Sequence, residues 1–391
     1  MHGALAAAAA LSLLLLTDIG WESQRDLTHS VLVTSIAALT LWLGCVMVAG
    51  LPQPRHYLLL GLLIGLGTLS KLNYLFFLAA LICALFSIDR RLILRPAFGL
   101  SVVLAAALLS PYATWVSEAP VVATSSHAKL DTAGPGLGDI EPSLATLAGA
   151  LAQFCVLFIV LFLALVRVWP RGWSPLRGGG RAAPTLLLLR LFWFALAILF
   201  AYVVVSGAAT FRGRWLMPLL FYLPVLFFAL APAARFTETI RRRYARLLLT
   251  VALLVSVGLL ARVYLGPLFD KFAKPHFPAA ALAQALDRRA GPGLPIVAMD
   301  SQIAGNLRHQ LPARFVSYPP VAIPLPTAGD VVLVWDADKD DEVPDRLIEY
   351  LRQQSLQPVL PSTAPEVLEV PLRLSRTETF RLAWQQVRLL P

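Results

Sequence analysis

Nine apolar runs of 14 to 21 residues fill the first 264 positions of this chain, near 3–17, 31–50, 57–70, 73–88, 96–112, 146–166, 190–206, 216–232 and 247–264. The hydrocarbon core of a bilayer is about 30 Å thick, takes about 20 residues of helix to cross and offers backbone groups no hydrogen-bond partner. Such runs are therefore read as membrane helices. Composition agrees: 58% of the 391 residues are hydrophobic and 14% charged, against roughly 45–50% and about 25% in ordinary soluble proteins. This excludes a soluble enzyme, a disordered chain and a nucleic-acid binder of the usual kind. The first run lacks the positively charged leading segment of a signal peptide and is read as a retained helix. The third and fourth flank Lys71 and are short enough to form one broken or tilted element. The expected fold is thus a polytopic α-helical membrane protein of about nine helices over residues 1–264.

The net charge of +10 resides in that part, which holds 20 Lys and Arg against 9 Asp and Glu. Short loops rich in Lys and Arg stay on the cytoplasmic side. With the N-terminus inside, cytoplasmic loops collect 14 cations, from Arg55 through Arg90, Arg91 and Arg95 to the groups at 167–190 and 235–246. The opposite side keeps six: Arg25, Lys71, Lys129, Arg212, Arg214 and Arg262. Nine crossings then put the C-terminal segment outside.

From about residue 265 apolar stretches shorten to strand length, and 13 Lys and Arg nearly balance 14 Asp and Glu. Helical spacing at 278–290, β-rich runs at 295–300, 313–318 and 331–338, and an amphipathic stretch at 343–354 predict a small soluble α/β domain over 265–391. The acidic run 336–342 lacks the Gly and Glu of a calcium loop and is read as a strand end leading into a helix N-terminus. Cys45, Cys83 and Cys155 all lie in apolar runs, so no disulfide framework or thiolate metal site is indicated.

Among the residues placed outside, GLLIGLGTLSKLNY (61–74) is the most informative. Gly61, Gly65 and Gly67 form a small-residue face for close helix approach, and Lys71 sits where the helix emerges. A lysine there either reaches the lipid headgroups or holds an anion such as phosphate. Both readings are open. Arg212 and Arg214, in FRGRWLMP (211–218), add guanidinium forks suited to phosphate oxygens, beside a Trp215 that also reads as an interfacial anchor. The loop 17–30 gathers Asp18, Glu22, Arg25, Asp26 and His29; a solvated hairpin is the favoured reading over a general base or metal site. The longer loop 113–145 is a candidate lid, and Gly178–Gly180 reads as a flexible cytoplasmic connection.

The runs WESQRDLTHSVL, YLLLGLLIGLGTLSKLNYLFFLAALICAL, LSPYATWV and FRGRWLMP, in this order over most of residues 15–232, resemble the polytopic glycosyltransferases of family 39. That family includes protein mannosyltransferases and lipid A aminoarabinose transferases. The resemblance implies the GT-C fold and transfer of a sugar from a polyprenyl-phosphate carrier to a lipid, glycan or protein acceptor on the outer face, in a bacterial inner membrane. It implies donor-phosphate binding by Lys71, Arg214 and Arg212. No resident cofactor is indicated, a divalent metal remains an option, and no nucleic acid is expected. The family's catalytic Asp lies in a first outer loop upstream of the matching segment, and the role does not transfer to Asp18, Glu22 or Asp26. The catalytic base is therefore unassigned, and the expectation is that Met1 is an internal start preceded by about two further helices. Two other functions fit polytopic helices with outward cations: a transporter or flippase, and a noncatalytic lipid-phosphate-binding partner of an envelope assembly.

Overall fold

A computed structural model of the chain describes residues 3–25, 28–50, 52–118, 140–167, 182–206, 211, 213–291, 293–319, 325, 329–354, 356–375 and 377–390. The described residues fall into two compact units, one up to Leu259 and one from Leu260 on.

Each of the nine apolar runs carries helix. In the first unit α1 (Gly3–Leu11) passes through a 3-10 turn, Ser12–Leu15, into α2 (Thr17–Arg25). Then follow α3 (His29–Ala49), α4 (Pro54–Ser70), α5 (Tyr74–Ile88), the single turn α6 (Arg91–Leu94) and α7 (Pro96–Glu118). After these come α8 (Ile140–Val166), α9 (Ala183–Ser206), α10 (Met217–Leu220), α11 (Leu223–Leu230) and α12 (Glu238–Tyr264). Among the described residues α3, α7, α8, α9 and α12 are long and apolar enough to cross a membrane, and α1 with α2 makes a sixth candidate if that bent pair is one span. The count of nine departs from this at the short elements. Helices α4 and α5 have 17 and 15 residues, about 26 and 23 Å at 1.5 Å per residue. The run 216–232 is divided at Phe221 and Tyr222, with Pro218 and Pro224 in the first turn of each half.

Three boundaries are corrected. The segment 17–25 is helical rather than a solvated hairpin, and the chain bends by 75° between α1 with its 3-10 turn and α2. The Gly20 amide donates to Leu16 O at 2.8 Å, and a side chain at Gly20 would overlap the Leu14 carbonyl. Helix α9 starts before Arg190, whose guanidinium reaches Ser87 Oγ at 3.1 Å, so this cation lies within a helix rather than in a loop. Helix α12 starts at Glu238, which pairs with Arg241 at 2.7 Å and Arg242 at 2.8 Å and draws the basic cluster into its first turns. A carboxylate at a helix start is favourable, and i,i+3 and i,i+4 pairs add a few tenths of a kcal/mol.

The small-residue face of α4 is real. A methyl group at Gly61 would sit 2.6 Å from Ser101 O and 2.8 Å from Ser101 Cα, and one at Gly65 would sit 2.7 Å from Leu108, so α4 and α7 meet backbone to backbone. The Ser101 hydroxyl seals the contact by donating to Tyr57 O at 2.6 Å. Gly61→Val is expected to cost about 1–3 kcal/mol through overpacking, read as a lowered unfolding midpoint in detergent. Deeper in the bundle Phe158 and Phe162 meet Phe227 edge to face at 5.2 and 5.4 Å between centroids, tying α8 to α11. Leu249, Leu253, Leu254 and Val257 on α12 stay exposed, as a lipid-facing helix requires.

The second unit is a sheet with helices on both faces. Its strands are β1 (Ile296–Ala298), β2 (Val316–Ser317), β3 (Gly329–Asp336), β4 (Gln357–Val359), β5 (Glu366–Pro371) and β6 (Thr379–Leu390), in the order β2-β1-β3-β6-β4 with β5 also on β6. Strand β1 runs parallel to β2 and β3, whereas β6 is antiparallel to β3, β4 and β5. Alternate residues of Val331–Trp335 serve two cores. Val332 and Val334 pack with Leu282 and Leu286 of α13 (Ala279–Ala290) and Ile303 of α14 (Ser301–Gln310). Val331, Leu333 and Trp335 pack with Leu347 and Leu351 of α15 (Asp345–Gln353). The acidic run 336–342 is a turn between β3 and α15, pinned by Trp335 Nε1 donating to Asp340 O at 2.8 Å and by Lys339 pairing with Asp336 at 3.0 Å.

Candidate functional site

The break between α4 and α5 is where polar side chains collect. The chain leaves helical geometry at Lys71 (φ −168°, ψ 131°), whose amide still bonds Gly67 O, and re-enters the helix at Tyr74. A lysine and an asparagine two residues apart are costly in hydrocarbon, and the break releases both from the span. Lys71 Nζ donates to Ser30 Oγ, at the start of α3, at 2.8 Å. Asn73 Nδ2 donates to Trp215 O at 3.2 Å, joining the break to the 3-10 turn Gly213–Trp215. Gly67 lies directly under the Tyr74 ring, where a methyl would come within 2.6 Å of it. Tyr74 OH meets Thr40 Oγ1 at 2.8 Å.

The same 3-10 turn meets α2. A methyl group at Gly213 would overlap the carboxylate of Asp18, so only glycine permits this approach. Thr17 holds the start of α2 by donating to the Gln153 carbonyl of α8. Glu22 and Arg25 form an ion pair at 2.8 Å one turn on. Two buried oxygens, Asp18 Oδ2 and Asn73 Oδ1, have no hydrogen-bond partner among the described residues. Such atoms cost about 1–3 kcal/mol each, and a donor supplied by a ligand would recover that.

The electrostatics join these pieces. Lys71, just past the last turn of α4, is pushed down to about 8 by burial and by the nearby Arg214. Asp18, on the polar helix α2, is pushed above the usual carboxylate range by burial and by Glu22, with Arg214 and a backbone hydrogen bond opposing. Arg214 is therefore within electrostatic reach of both. One ammonium, one guanidinium and one carboxylate share a partly desolvated cluster with bare acceptor atoms.

Of the three cations singled out from the sequence, the structure brings Lys71 and Arg214 together, whereas Arg212 lies outside the described residues. So do Asp26, Gly178–Gly180 and most of the long loop, including His127, Lys129, Asp131 and Asp139. Ser30 and Asn73 were missed by the sequence reading; the only signal was their place beside motif residues. Asp18, read there as part of a solvated hairpin, is the largest change. Among the described residues no three His, Cys, Asp or Glu converge as metal ligands. An apolar groove of about 530 Å³ between α1 and α12 carries charge only at Glu238, Arg241 and Arg242. None of the residues joined at the helix break lines it.

Comparison with known proteins adds identity to this geometry. The family described as dolichyl-phosphate-mannose-protein mannosyltransferase matches residues 1–115. The lipopolysaccharide core galacturonosyltransferase RgtB of Rhizobium johnstonii is 30% identical over 97% of this chain and 78% of its own length. RgtA of the same organism, also a lipopolysaccharide core galacturonosyltransferase, is 30% identical over 88% of this chain and 70% of its own. No solved structure matches.

Proposed function

The chain belongs to the GT-C membrane glycosyltransferases, and from that premise we propose that it moves a sugar from a polyprenyl-phosphate carrier to a lipopolysaccharide core glycan on the outer face of the membrane. The observation that carries this reading is the 30% identity to a core galacturonosyltransferase along nearly the whole chain. The sugar proposed is accordingly a galacturonosyl unit, and the proposed location is the bacterial inner membrane, with the C-terminal unit outside. The excess of cations in the loops assigned to the cytoplasm supports this orientation.

The chemistry is a displacement at the anomeric carbon. The acceptor hydroxyl oxygen forms the new bond, the bond to the carrier phosphate breaks, and the phosphate leaves with the electron pair. Negative charge grows on the departing phosphate oxygen, and cations already in place where water is scarce stabilise it more than water would. Lys71 and Arg214 take this role, with Arg212 as the third candidate. The proton lost by the acceptor needs a base, and Asp18, with its bare Oδ2 and raised affinity for protons, takes it. Its role comes from geometry and not from any match to the family's motif.

Both roles give a pH signature. The donor is a phosphodiester and stays a monoanion through neutral pH. Lys71 binds it as ammonium, which is present below about 8 and lost above it. Asp18 serves as carboxylate, which forms only as pH rises through its elevated range. The pH profile of kcat/KM is therefore expected to be a bell whose alkaline limb falls near 8, and Lys71→Arg is expected to remove that limb, since a guanidinium keeps its charge. The function itself is tested by adding purified protein in nanodiscs to polyprenyl-phosphate galacturonic acid and a core acceptor. Transfer supports the reading. Movement of intact carrier between leaflets without transfer would support a flippase instead.

A further inference from the structure

The C-terminal unit holds a second polar opening. Strands β4 and β5 lie along the same edge of β6 but do not meet. Strand β4 pairs as far as Val359 with Arg388, and β5 begins with Glu366 against Trp384. Between them Gln385, Gln386 and Val387, paired with β3 on their other side, have no strand partner on this edge, and a cavity of about 520 Å³ opens beside the connection 360–365. That lies within the range of small-ligand sites, about 300–1,000 Å³. Asp330, Glu366, Trp384, Gln385, Gln386 and Arg388 are among the residues that line it.

These side chains are built into position. Asp330 accepts from Gln386 Nε2 at 2.8 Å and from Arg388 Nε at 3.0 Å, and Gln385 Nε2 donates to Thr363 O at 2.7 Å. The two amides are thereby held in place. Trp384 is 7% exposed, and its indole N–H is buried with no hydrogen-bond partner among the described residues. An unmet buried donor costs about 1–3 kcal/mol, which an acceptor on a ligand would recover. Arg388 pairs with Asp330 at 3.0 Å and, with Gln386, holds it below the usual carboxylate range, while Glu366 adds a second carboxylate to the lining. Fixed polar groups, an indole and a net negative lining suit a hydroxyl-rich ligand rather than an anion.

We infer that this cavity binds a sugar unit of a glycan, apart from the polar cluster at the helix break. The inference depends on the function proposed above only for the identity of the glycan. The full chain in nanodiscs is titrated with a fluorescent core oligosaccharide released from lipopolysaccharide by mild acid, with an uncharged decapeptide as competitor. The oligosaccharide is expected to bind. Trp384→Phe, which keeps a ring and deletes the N–H, and Gln386→Leu, a surface change, are each expected to weaken binding about tenfold, the equivalent of one hydrogen bond. Lys71→Ala is expected to leave this binding unchanged while lowering transfer about 10²- to 10³-fold, so loss of transfer activity alone bears on the enzyme reading and not on this site. No binding at millimolar oligosaccharide, binding unaltered in both cavity variants, or displacement by the decapeptide would overturn the inference.

Discussion

Lys71→Ala is expected to lower sugar transfer by about 10²- to 10³-fold, the usual cost of removing one preorganised group that stabilises developing negative charge. The loss should appear in donor affinity as well as in turnover, because the phosphate is charged before and after the bond breaks. Its surroundings favour this role over a simple surface anchor: it is partly desolvated, its Nζ is oriented by Ser30 at 2.8 Å, and Arg214 is near enough to lower its proton affinity. Two cations brought together with partial desolvation repel one another, which a bound anion would relieve. Lys71→Arg is expected to retain much of the binding while Ser30→Ala loosens it modestly. Arg177, in the segment read as a cytoplasmic loop, provides the control: Arg177→Ala is expected to leave donor binding unchanged. Equal losses at Lys71 and Arg177 would mean that general surface charge, not a site, attracts the carrier.

Asp18→Asn is expected to lower turnover by about 10²- to 10⁴-fold with donor affinity nearly intact, the range typical of a lost general base. The substitution keeps shape and volume beside Gly213, so a fall in turnover is not explained by repacking. It also makes a prediction that a purely structural role does not share. The acid limb of the pH profile is set by a carboxylate raised by burial and by Glu22, and that limb should vanish in the variant. If Asp18 instead only braces the 3-10 turn, Asp18→Asn would lower donor affinity through Arg214 and leave the acid limb in place.

The helices were legible because hydrocarbon imposes one strong rule, and each apolar run obeys it. Their ends were less so. The apolar runs alone leave Arg190 and Arg241–Arg243 in loops, yet long basic side chains extend from a helical backbone, and Glu238 positions two of them. The small-residue face of α4 was correctly read at Gly61 and Gly65. Gly67 serves another contact, the Tyr74 ring, which spacing alone does not reveal. In the C-terminal unit the β-rich apolar run VVLVWDAD announced β3. Strand β6 was overlooked, although TFRLAWQQVRLL is its longest partner and makes one wall of the cavity. Helix α14 also carried a readable sign, since Asp300 caps it by accepting from the amides of Gln302 and Ile303.

The site was legible in its cations and hidden in its carboxylate. Lys71 and Arg214 stand out because charge is rare in such a sequence. Asp18 belongs to a polar stretch that looks solvated until the bend after α1 is known, and that bend depends on Gly20 folding against Leu14 and on Thr17 gripping α8. Ser30 and Asn73 are ordinary polar residues whose meaning comes only from tertiary contact.

Titration of polyprenyl monophosphate into nanodisc-embedded protein tests the shared phosphate grip most directly, comparing Lys71→Ala, Arg214→Ala and the double variant. Two cations on one phosphate predict that each single change weakens binding at least about tenfold, equivalent to about 1.4 kcal/mol, and that the double change costs less or more than the product of the two, since groups sharing a partner do not add. Independent, multiplicative effects, or affinity unchanged in either single variant, would contradict the account.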